Sequence, residues 1–259
     1  MNALGHAALL APALHGLALI ALLAALTWVA SIVRRDASLV DRMWPVFIAG
    51  AAYTYHAGLP AGGARALGLL VLVSAWALRL GAYLTHRNWG HGEDRRYQRI
   101  RARHEPNFAF KSLYLIFALQ AVVAWILSWP LLLGLARAAT PGWTDAVGAV
   151  IAAFGLAFEA IGDAQLARFK SDPAHAGQVM DRGLWRWTRH PNYFGEACFW
   201  WGLWLVGAGS AGLGGAWTLV SPILLTWLLL QVSGVRLLEQ DLGERRPAYR
   251  DYIARTSAF

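Results

Sequence analysis

The 259-residue chain is 57% apolar and 15% charged and carries a formal net charge of +8; a soluble domain has about 45–50% apolar and about 25% charged residues. That balance excludes an ordinary soluble domain and points to an integral membrane protein, one membrane-embedded domain over residues 1–259. The basic residues are split over short loops beside apolar runs, which argues against nucleic acid as a partner, and the single cysteine, Cys198, excludes an internal disulfide.

Seven apolar runs, near 7–33, 39–58, 64–86, 113–136, 143–164, 194–211 and 215–233, approach the ~20 residues of a spanning helix. The expected fold is therefore all-α and polytopic, with seven transmembrane helices. The first run lacks a basic start and is too long for a signal-peptide core, so it counts as a helix of the mature fold. Asp41 enters the second run, and the third contains Arg79 and Tyr83 one turn apart. An arginine inside a membrane helix needs a partner, and Asp41 is the natural candidate. The basic loop that follows reads Gly92-Glu-Asp-Arg-Arg-Tyr97, with Arg95, Arg96, Arg99 and Arg103 at helical spacing. Its plainer reading is an amphipathic surface helix with Glu93 and Asp94 in its first turn.

In and after the fifth run, Glu159, Asp163 and Lys170 follow at spacings of four and seven, on one face if the helix continues. They form either a helix-end ion pair or the polar wall of a ligand cavity. Residues 182–196, Arg-Gly-Leu-Trp-Arg-Trp-Thr-Arg-His-Pro-Asn-Tyr-Phe-Gly-Glu, then bring arginines, His190, Asn192, Tyr193 and Glu196 to the mouth of the sixth run. Pro191 suits a first helical turn, a helix N-terminus favours anions, and arginine presents a planar fork to phosphate. A basic loop with an asparagine cap is the plainer reading, but it does not explain a glutamate entering the bilayer. The tail after 233 is a solvated helix or a lid folded back over the inner loops. No histidine or cysteine spacing suits a metal, and neither a P-loop nor a Gly-x-Gly-x-x-Gly strand turn occurs.

All Lys and Arg except Arg65, Arg79 and Arg137 fall on one side if the N-terminus is outside. Positive residues stay cytoplasmic, so the expected topology is N-outside and C-inside in a bacterial-type inner membrane, with the chemistry on the cytoplasmic side.

The block Gly183–Glu196 resembles the signature of the steroid 5-alpha-reductase family, and more closely a bacterial branch long known as a domain of unknown function. Gly92–Tyr97, Ser38-Leu-Val-Asp-Arg-Met-Trp44 and Tyr252-Ile-Ala-Arg-Thr-Ser-Ala-Phe259 are similar to its other marks. The resemblance implies a seven-helix bundle holding NADPH, with helices in 1–112 lining the substrate side and 113–259 carrying the main cofactor motifs. A lipophilic enone such as a 3-oxo-Δ4-steroid would enter from the membrane lipid. It implies catalytic roles for Tyr83 and for Glu196 or Asp41. It implies cofactor contacts for Arg87, Asp163, Lys170, Asn192 and Tyr193, with Arg189 and His190 beside them. Glu159 stands where the animal enzymes carry an asparagine, and Tyr249 and Arg246 are the tail candidates. An acid and a phenol would hydrogen-bond the ketone oxygen while hydride reaches the β-carbon. The alternatives are an S-adenosylmethionine-dependent methyltransferase, whose isoprenylcysteine-modifying relatives share Arg189-His-Pro-x-Tyr193, and a lipid-binding or transport protein. No obligate protein partner is expected.

Overall fold

A computed structural model of the chain describes residues 3–60, 62–137, 140–232, 234–239 and 248–259. Among them the regular elements are helices, and the single isolated bridge joins Thr188 to Ser257. In chain order these are α1 (Ala3–Arg34), α2 (Leu39–Gly58), α3 (Ala64–Asn88), α4 (Arg95–His104), α5 (Phe108–Leu135), α6 (Trp143–Ser171), α7 (Pro191–Ala208), α8 (Ala211–Val232), α9 (Val235–Glu239) and α10 (Ala248–Arg255). A 3-10 stretch, Gly209–Leu219, kinked at Gly212, forms the first part of α8.

Ala8–Arg34 of α1, together with α3, α5, α6 and α8, is long and apolar enough to cross a membrane. Their outward faces carry large apolar side chains, among them Leu22, Leu26, Leu67, Leu78, Val122 and Val150, each more than 45% exposed. In water such surface would be a liability; in hydrocarbon it is the solvated face. The chain is an integral membrane protein. The expected runs at 39–58 and 194–211 are helices too, but α2 carries Asp41 and Arg42, and the first two turns of α7 carry Asn192 and Glu196.

The chain divides into two compact units, residues 1–142 with 207–218 and residues 143–206 with 219–259. In the first, the buried Tyr55 hydroxyl meets Ser128 Oγ at 2.6 Å, and Trp125 Nε1 donates to Ala13 O at 2.9 Å. These bonds tie α2 and α1 to α5. Helix α1 ends in a Schellman turn: Asp36 N donates to Ser31 O at 3.0 Å, Arg35 N to Ile32 O at 3.3 Å, and Arg35 has φ 52°. Glycine usually fills that left-handed position, and a side chain there costs roughly 1 kcal/mol.

In the second unit, α6 and α7 meet along a glycine seam. Gly148, Gly155 and Gly162 recur every seventh residue on α6, as do Gly195 and Gly202 on α7. A Cβ on Gly148 would lie 2.6 Å from Gly202 O, one on Gly155 2.5 Å from Gly195 O, and one on Gly195 2.6 Å from Glu159 N. Small residues at this period let membrane helices approach backbone to backbone. The approach brings the first turn of α7 against the C-terminal half of α6.

Candidate functional site

In the first unit the loops after α1 and α3 are fastened by their acids. Asp94 caps α4 by accepting Arg96 N at 2.8 Å. Glu93 accepts both Arg101 Nε (2.9 Å) and Nη2 (2.8 Å), and also Ala37 N at 2.8 Å. Asp41, expected to meet Arg79, has its Oδ2 on Arg96 Nη2 at 2.9 Å and its Oδ1 on the Tyr97 hydroxyl at 2.6 Å. Gln120 Nε2 donates to that hydroxyl at 3.1 Å. Helix α4 is thus anchored rather than merely solvated: its arginines at 96 and 101 point into the protein. Tyr97 and Gln120 went unread in the sequence, although Tyr97 closes the Gly92–Tyr97 motif. Tyr83 is half-buried on α3, and the Arg87 guanidinium sits 5.6 Å from its ring centroid.

The remaining described candidates belong to the second unit. Glu159 and Asp163, one turn apart on α6, are 4% and 3% exposed. Gly162 lies between them, and a Cβ there would stand 3.1 Å from Pro191 Cγ and 3.4 Å from Asn192 N. Asn192 opens α7, and its Oδ1 is buried with no hydrogen bond. Glu196, one turn on, is 7% exposed and accepts Trp200 Nε1 at 3.0 Å. Lys170 is exposed near the end of α6. The loop before α7 is pinned across α6: Trp185 Nε1 donates to Gly162 O at 3.0 Å and Leu184 N to Gln165 Oε1 at 2.9 Å. Gly183 makes that crossing with φ 60°, where a Cβ would also strike the Gln165 side chain.

Arg189 and His190 are engaged by the protein itself. Glu239 at the end of α9 accepts Arg189 Nε at 2.8 Å and Nη2 at 3.1 Å, His190 Nε2 lies 2.8 Å away, and Tyr249 donates at 3.3 Å. Arg189 Nη1 reaches the carbonyls of Ile253 and Thr256, and its backbone N–H donates to Ser257 O at 2.8 Å. Thr188 Oγ1 donates to Ala258 O at 2.7 Å, Tyr252 donates to Trp185 O, and Arg255 pairs with Asp181. The tail is therefore sewn onto the 182–190 loop. The arginine fork expected to face phosphate faces a carboxylate of this chain.

Burial works to raise the Glu239 carboxyl, but His190 and Arg189 outweigh it and hold it at about 2. Burial pushes the Tyr252 phenol up to about 12, and burial and then Glu239 push that of Tyr249 higher still. The His190 ring stacks on Tyr193, centroids 5.4 Å apart at 9°. One carboxylate thus fixes Arg189, His190 and, through the stack, Tyr193. The signal for Glu239 in the sequence was the Arg-His pair fifty residues earlier, in want of a counter-ion. Arg246 lies outside the described residues.

The candidates fall into two sets, one per unit: Asp41, Tyr83 and Arg87 in the first, the other described residues in the second.

Comparison with known proteins gives a family. Residues 27–256 match the family described as "Protein of unknown function (DUF1295)". An uncharacterized protein of Schizosaccharomyces pombe is 26% identical over 288 aligned positions, covering 96% of this chain and 79% of the yeast protein. No solved structure matches.

Proposed function

The chain belongs to the DUF1295 family, and we propose that it is an NADPH-dependent membrane reductase. Its reaction would saturate the conjugated C=C bond of a lipophilic enone, a 3-oxo-Δ4-steroid giving the 5α product. The reading keeps seven spans, with α2 and α7 among them, the N-terminus outside and the cofactor face cytoplasmic in a bacterial-type inner membrane.

One observation carries it: the Asn192 amide oxygen, buried and accepting nothing, at a helix N-terminus packed against the turn of α6 that bears the buried Glu159 and Asp163. An unsatisfied buried acceptor costs about 1–3 kcal/mol, and a carboxamide N–H such as that of nicotinamide would relieve it. Asn192, Glu159 and Asp163 would hold the polar end of the cofactor, with Tyr193 as a ring beside it and Lys170 supplying charge to its phosphates. When bound, NADPH supplies hydride.

Glu196 serves as the acid in this reading. Trp200 fixes its orientation by donating to one carboxylate oxygen, and the carboxyl would meet the ketone. Tyr83 is the phenol donor offered by the family resemblance, with the Arg87 cation over its ring. Asp41, both oxygens engaged, is the anchor of α4 rather than a proton donor. Arg189 and His190 position the loop and Tyr193.

Purified protein in detergent, given NADPH and progesterone or testosterone, is expected to lose absorbance near ~340 nm, typical of reduced nicotinamide, and to yield the saturated ketone. Asn192→Ala and Lys170→Ala should raise the NADPH KM about ten-fold or more with kcat largely kept, whereas Glu196→Gln should lower kcat with the cofactor still bound. Absence of both NADPH oxidation and saturated product across several enones would sink the reading.

The pairing of Glu239 with the Arg189-His190 element keeps methyl transfer as a second reading, since that element is shared with isoprenylcysteine methyltransferases. Thermal shift separates the two: a ligand at a hundred times its Kd stabilises by about 2.7 kcal/mol, and a rise with S-adenosylmethionine alone would select the second.

A further inference from the structure

Away from these residues, the first unit holds a half-open cavity of about 480 Å³ where the end of α1 meets α4 and the start of α5. Ser31, Ile32 and Arg35 line one side, and Arg101, Glu105 and Phe108 the other. Trp28 Nε1 donates to Ala109 O at 2.9 Å and closes α1 against α5 beside it. Arg101 is preset there, clamped by Glu93 and lying 4.3 Å over the Phe108 ring.

Arg35 has no such explanation. It is exposed, makes no ion pair among the described residues, and occupies the left-handed turn position that glycine fills at least cost. A side chain held at an unfavourable φ with no ion-pair partner among the described residues is a sign of use. The wall beside it is apolar and outward-facing: Ile32 is 41% and Val33 79% exposed. Two guanidiniums at the mouth of a membrane helix, above an open apolar flank, match a phosphodiester with acyl chains below it. Basic pockets between membrane helices take anionic lipid headgroups in this way.

We infer that this cavity binds the headgroup of an anionic glycerophospholipid, with Arg35 and Arg101 on its phosphate and the acyl chains along Ile32 and Val33. The full chain in mild detergent is titrated separately with phosphatidylglycerol, phosphatidylcholine and inorganic phosphate, with bound lipid counted by native mass spectrometry and unfolding followed by temperature. The wild type should prefer phosphatidylglycerol over phosphatidylcholine by about five-fold or more, the factor one basic residue is worth at an anionic membrane surface. Arg35→Gly should keep or raise the melting temperature without lipid, because glycine suits that φ, yet lose the preference. Arg35→Gln should lose it as well, and Arg34→Ala, a control outside the lining, should keep it. The inference is overturned if Arg35→Gly and Arg35→Gln bind phosphatidylglycerol like wild type. It is equally overturned if Arg34→Ala loses the preference to the same degree, which marks diffuse surface charge, or if inorganic phosphate alone reproduces the full thermal shift.

Discussion

Adding one methyl group at Gly155 is expected to destabilise the protein, and a leucine there to abolish accumulation of folded protein. Helix propensity alone argues the other way, since alanine is better than glycine by about 1 kcal/mol within a helix. The contact reverses the sign. A Cβ at Gly155 would lie 2.5 Å from Gly195 O, and main chain cannot rotate aside as a side chain can. The α6–α7 pair must part instead, losing packing along Gly148–Gly202 as well, and overpacking of this kind costs about 1–3 kcal/mol or more. Parting the helices also separates Glu159 from the first turns of α7, so on the proposed reading residual folded protein should bind NADPH poorly. Gly68→Ala on α3, where a Cβ meets nothing within 4 Å, is the matched control and should be neutral or mildly stabilising. Fluorescence-detected size exclusion and melting curves in detergent read both. A Gly155→Ala protein that melts at or above the wild type would show that the seam has room.

Removing the Glu239 carboxylate should free the tail. Glu239→Ala strips Arg189 of a two-pronged partner and His190 and Tyr249 of theirs. Both charged side chains keep only 10–15% exposure, so the loss is placed at roughly 2–3 kcal/mol, somewhat below the ~3–5 of a fully buried pair. Tail opening should then rise roughly 30- to 150-fold at ~1.4 kcal/mol per decade, visible as faster amide exchange over 248–259 and in the 182–190 loop. Spans such as α3 should keep their protection.

Acid should do the same thing more gently. The folded Glu239 carboxyl is held at about 2 against an ordinary 4.5. Its contribution is complete above about pH 4.5 and drains away as pH falls through 2, because protonation is easier in the freed tail. Glu239→Gln should flatten that acid dependence. Unchanged exchange in Glu239→Ala would mean that the bonds of Arg189, Thr188 and Tyr252 to main-chain carbonyls hold the tail unaided.

These two features mark where the sequence was readable and where it was not. Apolar length exposes helices directly, so the run at 39–58 coincides with α2 (Leu39–Gly58) and Pro191 marks the start of α7. Arginines at helical spacing gave α4, but not its direction, because period alone cannot say that Arg96 and Arg101 turn inward to Asp41 and Glu93. The glycine seam was present in the sequence as a seven-residue period. Glycine carries no hydrophobic signal, and its meaning lies in what it lets approach.

Arg189 was legible as an arginine needing an anion. A guanidinium fork fits a carboxylate as well as a phosphate, and nothing local reveals that the anion is Glu239, fifty residues on. The tail was harder still: Arg189, Thr188 and Tyr252 bind its loop partly through main-chain carbonyls, which every residue possesses. Tyr249 was singled out in advance for a cofactor, and its hydroxyl is on Glu239.

The reductase reading is tested most directly by following the hydrogen. Purified protein is incubated with NADPH deuterated at the transferable C4 position and a 3-oxo-Δ4-steroid, and the product is examined by mass spectrometry and NMR. The account predicts a saturated ketone with a single deuterium at the former β-carbon, formed by wild type and strongly reduced in Glu196→Gln. A product methylated in the presence of S-adenosylmethionine, a saturated product without deuterium at that carbon, or no turnover alongside no NADPH binding would contradict it.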